Sequence, residues 1–480
     1  MHRIQRKRLL AGSRFFICLS LEFSLANWKL VLHIWGFKNY ILKNEQMFCI
    51  MAIKGVDKSM KRVIFHIDVN SAFLSWEAVY RIYHLGSQMD LRKMVAAVGG
   101  DMAMRHGIIL AKSIPSKKYH IKTGESIVEA RQKCPDLYLV PPNYNLYEKC
   151  SQAFVNILNQ YTPDVEQYSI DECYMDMTGT ECVFGEPVEA ANVIRNRIRE
   201  ELGFTVNIGI AENKLLAKMA SDFQKPDKVH TLWHDEIQQK MWPLPVADLF
   251  FVGRATEKKL HNLGIHTIGQ LANTDIELLK MHLKKHGELI WQFANGYDVS
   301  VVQSTPAKNK GYGNSTTIPF DVTDGSVAKL VLLALAETVG TRLRAASVKA
   351  EVIAVGIKNS DFEYVSHQRT LLNATNITKE IHAYAAQLFD EVWDGKPIRH
   401  LGIHTSRIRD GYDMRQMNMF DIDVDYEKLE KLDSTVDSIR RRYGIDSVIR
   451  ACFIQSPIDH LSGGISREKR SVDYSKLKID

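Results

Sequence analysis

Three acidic residues in this chain have the types and settings to do chemistry. Asp68 closes the apolar run Val63-Ile64-Phe65-His66-Ile67, and Asp171 and Glu172 stand side by side far downstream in Ser169-Ile170-Asp171-Glu172. Carboxylates that end apolar strands are costly to bury unless they are paired or bound to a cation. Three of them suit a pair of divalent metal ions, hard cations that take oxygen ligands and leave positions open for a phosphorylated substrate. In a regular strand Asp171 and Glu172 would point to opposite faces. They serve one site only if the chain bends there, as at a hairpin. Two unrelated acidic turns would carry the same residues, so the carboxylates alone leave both readings open.

The residues after Asp68 switch from strand to helix pattern, with Asn70 or Ser71 as the expected cap and an apolar face that includes Phe73, Trp76, Val79, Tyr80 and Tyr83. A helix N-terminus offers free N–H groups to an anion, so a triphosphate could lie across residues 69–73, starting at Val69. Phe73 then stands in the first turn, near the sugar of a bound nucleotide; equally, it could be a core aromatic. Lys117-Lys118 and Lys225, which precedes Pro226, are the cationic candidates.

The elements that must position these groups alternate between strand and helix through about residue 232, as in an α/β or α+β domain. The expected elements are strand 93–98, helix 124–133, strand 137–140, helix 144–160, hairpin 165–178, helix 187–201, strand 204–210 and helix 212–223. Residues 233–303 read as helices with short turns, and 304–311 as a polar, basic linker. Residues 312–455 form a second mixed unit, with strands at 351–358, 362–370 and 399–407 and helices at 326–346 and 376–391. The 480 residues are too many for one core. The formal net charge of +6 permits a polyanionic partner without demanding one. Seven cysteines include no Cys-x-x-Cys pair, which argues against a zinc site or disulfide framework and for a reducing cytoplasm. Residues 1–59 are expected to be a disordered leader or a start-site artefact rather than a membrane anchor, because Glu22, Lys29 and His33 interrupt their apolar patches.

Taken in order, His66-Ile67-Asp68-Val69-Asn70-Ser71-Ala72-Phe73, Ser169-Ile170-Asp171-Glu172, Asn207-Ile208-Gly209-Ile210-Ala211-Glu212-Asn213-Lys214 and Lys225-Pro226 resemble the motifs of Y-family DNA polymerases. The resemblance runs from about residue 61 to 450. It implies an α+β multidomain fold shaped as a right hand: palm at 60–71 and 140–232, fingers at 72–139, a helical thumb at 233–303, linker 304–311, little finger 312–455 and tail 456–480. It also implies roles. Asp68, Asp171 and Glu172 would be the catalytic carboxylates holding two Mg²⁺ ions. Phe73 would be the steric gate against ribonucleotides, with Val69, Lys117 and Lys225 also at the nucleotide. The partners would be primer–template DNA, a dNTP and a sliding clamp, for a cytoplasmic monomer that does not proofread.

One departure stands out. The family often has Ser-Tyr-Glu-Ala where this chain has Ser113-Ile114-Pro115-Ser116, so a tyrosine hydroxyl is missing at Ile114 and Pro115 removes a backbone donor. The run from Phe250 to Leu260 resembles a helix-hairpin-helix, in which Val252, Gly253, Arg254 and Thr256 would hold a DNA phosphate without reading sequence. Phe250-Phe251 takes the place of the usual leading Pro-Gly. In the little finger, Lys349, Lys358, Arg369, Arg399 and Arg407 are candidates for gripping duplex backbone. Gln416, Met417, Met419 and Phe420 resemble a clamp-binding peptide, whose spaced apolar anchors suit a greasy groove. The expected function is translesion DNA synthesis; the competing expectation is a non-catalytic adaptor that binds clamp and DNA.

Overall fold

A computed structural model of the chain describes residues 61–100, 107–411, 416 and 425–460. At its centre lies a five-stranded sheet in the order β5-β6-β1-β7-β8. Its strands are β1 (Ile64–Val69), β5 (Val165–Gln167), β6 (Glu172–Asp176), β7 (Val206–Ala211) and β8 (Val229–Thr231). Every residue of β1 is buried, as expected of a central strand covered on both faces. Alternate residues divide between two cores. Phe65, Ile67 and Val69 pack with α1 (Ala72–Leu85), α3 (Tyr144–Leu158) and α4 (Pro187–Leu202). Ile64, together with Tyr174 of β6, packs with α5 (Lys214–Asp222) and the helical unit beyond it. Period two therefore puts His66 and Asp68 on the α5 face as well.

Gly209 of β7 makes that face possible. A Cβ there would stand 2.0 Å from the Ala217 carbonyl oxygen and 2.4 Å from the Ser221 nitrogen, so α5 rests directly on the strand backbone. Gly209→Ala is expected to cost about 1–3 kcal/mol as the helix is pushed off the sheet, read as a lowered midpoint in thermal or urea unfolding. An unchanged midpoint would show that the helix is not seated there.

A small sheet, β3-β2-β4, comprises β2 (Ala96–Gly99), β3 (Ile109–Lys112) and β4 (Tyr138–Val140), and packs with α2 (Ile127–Lys133) around Ala97, Ile109, Ile121 and Leu137. The helical unit includes α6 (Arg254–Asn262), α7 (Ile268–Ala272), α8 (Ile276–Leu283) and α9 (Lys285–Ala294). Residues 298–312 carry no helix or strand. The C-terminal unit is a four-stranded sheet, β11-β10-β12-β9. It is formed by β9 (Gly313–Val322), β10 (Val348–Asn359), β11 (Tyr364–Thr375) and β12 (Ile398–Asp410), with α10 (Gly325–Ala345) and α11 (Thr378–Val392) packed against it. A further helix, α12 (Tyr426–Tyr443), follows. Among the described residues no helix is long and apolar enough to cross a membrane.

Elements absent from the sequence reading include the short strands β3 and β8, the strand β9 and the helix α12. β9 contains Pro319 and is polar, but it is an edge strand, where a missing N–H costs no ladder bond. α12 carries Leu429, Leu432, Val436 and Ile439 at helical spacing, but the residues it buries fully are Asp433, Asp437 and Arg440.

Candidate active site

Asp68 and Glu172 sit directly opposite one another in the antiparallel pair β1–β6. Directly opposed residues project to the same face, a few ångströms apart. The chain does bend ahead of β6. Residues 169–171 form the tip of the β5–β6 hairpin, closed by hydrogen bonds from the Tyr168 and Ser169 amides to the Glu172 carbonyl. Asp171 belongs to that bend and is tied to β1 by its carbonyl, which accepts the Val69 N–H at 3.0 Å.

Each carboxylate is anchored through one oxygen. Lys225 donates to Asp68 Oδ2, Ser169 Oγ to Asp171 Oδ1 at 2.7 Å, and Lys218 to Glu172 Oε2 at 2.8 Å. His66 Nε2 lies 3.5 Å from the same Glu172 oxygen. Asp68 Oδ1, Asp171 Oδ2 and Glu172 Oε1 make no hydrogen bond among the described residues. Among the described residues no three His, Cys, Asp or Glu side chains form a ready metal cage. Asp68 and Glu172 are each drawn to a lysine, Lys225 just beyond the end of α5 and Lys218 at its middle.

The two opposed acids have different electrostatics. Burial pushes the Asp68 carboxyl up to about 6, against the pull of Lys225. Burial would raise Glu172 too, but His66 and Lys218 outweigh it and bring it down to about 2. Burial holds the His66 imidazole below its ordinary value, while its Nδ1 contacts Ser221 Oγ at 2.8 Å. Asp68 is therefore a buried acid with one counter-ion, a setting that an added cation would relieve. The free oxygens on all three acids fit an oxygen-seeking divalent ion.

The start of α1 departs from the expected cap. Asn70 donates to Thr205 instead. Ser71 is in the left-handed region, at φ 48°, and makes no side-chain cap. The first-turn amides thus stay open beside Asp68, an anion nest in backbone form. Val69 is buried. Phe73 is half-buried, its ring stacked on Tyr147 at 4.6 Å and 9°, so it is anchored on one face by the core. Lys117 is exposed in the 3-10 turn Pro115–Tyr119 and has no ion pair among the described residues. The Ile114-Pro115 departure fits this turn. Pro115 occupies its first position, where a missing N–H costs nothing, and Ser116 Oγ ties the turn to Ala96 at 3.0 Å.

At the hairpin before α6, Gly253 is the N-cap without a side-chain bond, Gly253 and Arg254 are exposed, and Val252 and Thr256 are half-buried. Phe251 takes φ 74° in place of a glycine. On the C-terminal unit, the Gln416 backbone is pinned by Asn373, whose amide accepts its N–H at 2.7 Å and donates to its carbonyl at 2.9 Å. Met417, Met419 and Phe420 lie outside the described residues. Lys349 and Arg369 are engaged by Glu430 and Glu391.

Sequence reasoning missed His66 and Lys218. The available signals were a histidine in an otherwise apolar strand and a second lysine one turn after Lys214.

The chain is similar to known proteins. Residues 67–222 match the impB/mucB/samB family, 309–419 match that family's C-terminal domain, and 234–265 match the HHH motif of the IMS family. DNA polymerase IV of Clostridium acetobutylicum is 46% identical over 396 residues, spanning 82% of this chain and 99% of the relative. DNA polymerase IV of Acetivibrio thermocellus is 39% identical over 399 residues, spanning 82% and 98%. A solved Y-family DNA polymerase chimera has the same multidomain α+β fold, with a TM-score of 0.63 at 22% identity over 72% of this chain and 99% of that one.

Proposed function

Because the chain belongs to the impB/mucB/samB family of Y-family DNA polymerases, we propose that it is a DNA-directed DNA polymerase for low-fidelity translesion synthesis. The observation that carries this reading is the opposed pair Asp68 and Glu172 beside Asp171, each with one oxygen anchored and one free, next to an uncapped helix start. The substrates are primer–template DNA and a dNTP.

Asp68, Asp171 and Glu172 would hold the family's metal, proposed here as two Mg²⁺ ions. When bound, these would stabilise charge on the attacking and leaving oxygens of nucleotidyl transfer. The protein's own groups bind and orient. The open amides after Val69 receive phosphate oxygens, and Lys225, already at Asp68, supplies the nearest ammonium to them. Lys117, exposed on the turn Pro115–Tyr119, supplies a further ammonium for the outer phosphates. Phe73, fixed against Tyr147, presents the edge of its ring to the sugar. The Gly253–Arg254 amides and the C-terminal sheet hold DNA by its backbone, so affinity should fall as salt rises. Gln416, held out by Asn373, supports a clamp-binding peptide formed with Met417, Met419 and Phe420. We further propose a cytoplasmic monomer that synthesises without proofreading.

Extension of a labelled primer by the purified chain tests this reading; DNA binding without extension would favour the adaptor. Phe73→Ala should raise incorporation of ribonucleotides relative to dNTPs by roughly 10–200-fold, the range that a pocket contact of this size supplies. Measured as a ratio of kcat/KM values, unchanged sugar discrimination would make Phe73 a core residue only.

A further inference from the structure

Lys218 touches the β5–β6 hairpin, the helical unit and a carboxylate of the site at once. Its ammonium donates to Glu172 Oε2 at 2.8 Å. It also lies 5.6 Å from the Tyr168 ring centroid and 5.4 Å from that of Phe250. Both are within cation–π range, and the lysine is largely shielded from water, which strengthens such contacts. Tyr168 begins the bend that carries Asp171, and its ring meets Phe250 edge-on at 6.4 Å. Phe250 in turn meets Phe251 at 4.6 Å, two residues ahead of the Gly253 cap of α6. The aromatic link thus runs from the β5–β6 hairpin to the residue pair Phe250-Phe251 just ahead of α6.

We propose that Lys218 is a positioning residue that fixes Glu172 by one oxygen and is itself held by Phe250, so that seating of the DNA-holding hairpin is felt at the metal-binding carboxylate. The inference rests on the polymerase reading above. His66 and Lys218 both meet Oε2, which leaves Oε1 as the free donor; without Lys218 the side chain can turn and present either oxygen. Partners that orient a metal ligand in this way are worth about 10–100-fold in metal affinity or activity.

The test uses the full chain bound to a primer ending in a dideoxynucleotide, its template and the next dNTP. Mn²⁺ affinity is read from the electron-spin signal of the free ion. Lys218→Met keeps the stem and removes the charge; it should weaken Mn²⁺ binding roughly tenfold. On an extendable primer it should lower kcat by a similar factor, with KM for dNTP and DNA affinity within about twofold. Lys218→Arg should restore most of the loss. Phe250→Leu should weaken Mn²⁺ binding by about threefold or more, and the double variant should be no worse than Lys218→Met, because the two act in series. Thermal unfolding checks that each variant is folded. Unchanged or tighter Mn²⁺ binding by Lys218→Met would overturn the positioning role, and independent, multiplying losses would overturn the link through Phe250. A wild-type chain that does not extend primers would instead defeat the polymerase reading itself.

Discussion

Asp171→Asn is expected to slow nucleotide addition by at least about 10³-fold, or about 4 kcal/mol in the barrier, the scale set by removing one electrostatic element of a preorganised site. The substitution is chosen to spare the fold. Asn retains an oxygen that can accept from Ser169 Oγ, and the main-chain bond from Val69 N–H to residue 171 does not involve the side chain. Only the charge and one lone-pair-bearing oxygen are lost. DNA affinity should stay within about twofold, because the groups proposed to hold DNA lie on other elements and would act on its backbone. Rapid-quench insertion of one nucleotide, with DNA affinity by fluorescence anisotropy, separates the two quantities. A variant that keeps insertion within about tenfold of wild type would remove Asp171 from the metal-binding set.

Glu337→Gln should destabilise the C-terminal unit by about 3–5 kcal/mol, because it breaks a buried ion pair and leaves its partner unmatched. Glu337 is 3% exposed on α10. Arg440 of α12 reaches it at 2.5 Å, and Arg450 pairs with its other oxygen. Nearby, Arg344 joins Asp433 at 3.1 Å and Asp437 at 2.6 Å. These charges are the buried side of α12. Burial would raise the Glu337 carboxyl, but the two arginines outweigh it and hold it below its ordinary value. Its contribution is thus present above the unfolded-state value near 4.5 and is lost as pH falls through the lower folded value. Thermal unfolding at neutral pH should show a drop of roughly 10 °C for a unit of this size, with the gap to wild type narrowing in acid. A drop under about 2 °C would mean that packing, not the ion network, holds α12.

Much of the site was legible because its residues sit where strand and helix patterns meet. The buried run ending in Asp68 and the apolar pattern beginning at Ala72 placed a carboxylate beside a helix start, and the adjacent acids required a bend that the β5–β6 hairpin supplies. What stayed hidden depends on tertiary pairing. The spacing of Lys218 one turn after Lys214 is only a weak local signal; the seating of α5 on Gly209 is what brings it to Glu172. The left-handed Ser71 defeats the usual reading of Ser as a cap, since its side chain is turned away from the amides it would satisfy. β9 and α12 escaped for a related reason. One is a polar edge strand without alternation; the other has apolar residues at helical spacing, but charged residues fill its buried face.

The central claim is that Asp68, Asp171 and Glu172 form the site of metal-dependent nucleotidyl transfer. Its most direct test is single-turnover extension of a labelled primer by the unmodified chain, with one correct dNTP, in Mg²⁺ and again after chelation. The expected result is a primer lengthened by one templated nucleotide, with extension abolished by chelator and restored by Mg²⁺. A primer that is bound but never lengthened at any Mg²⁺ concentration would contradict it.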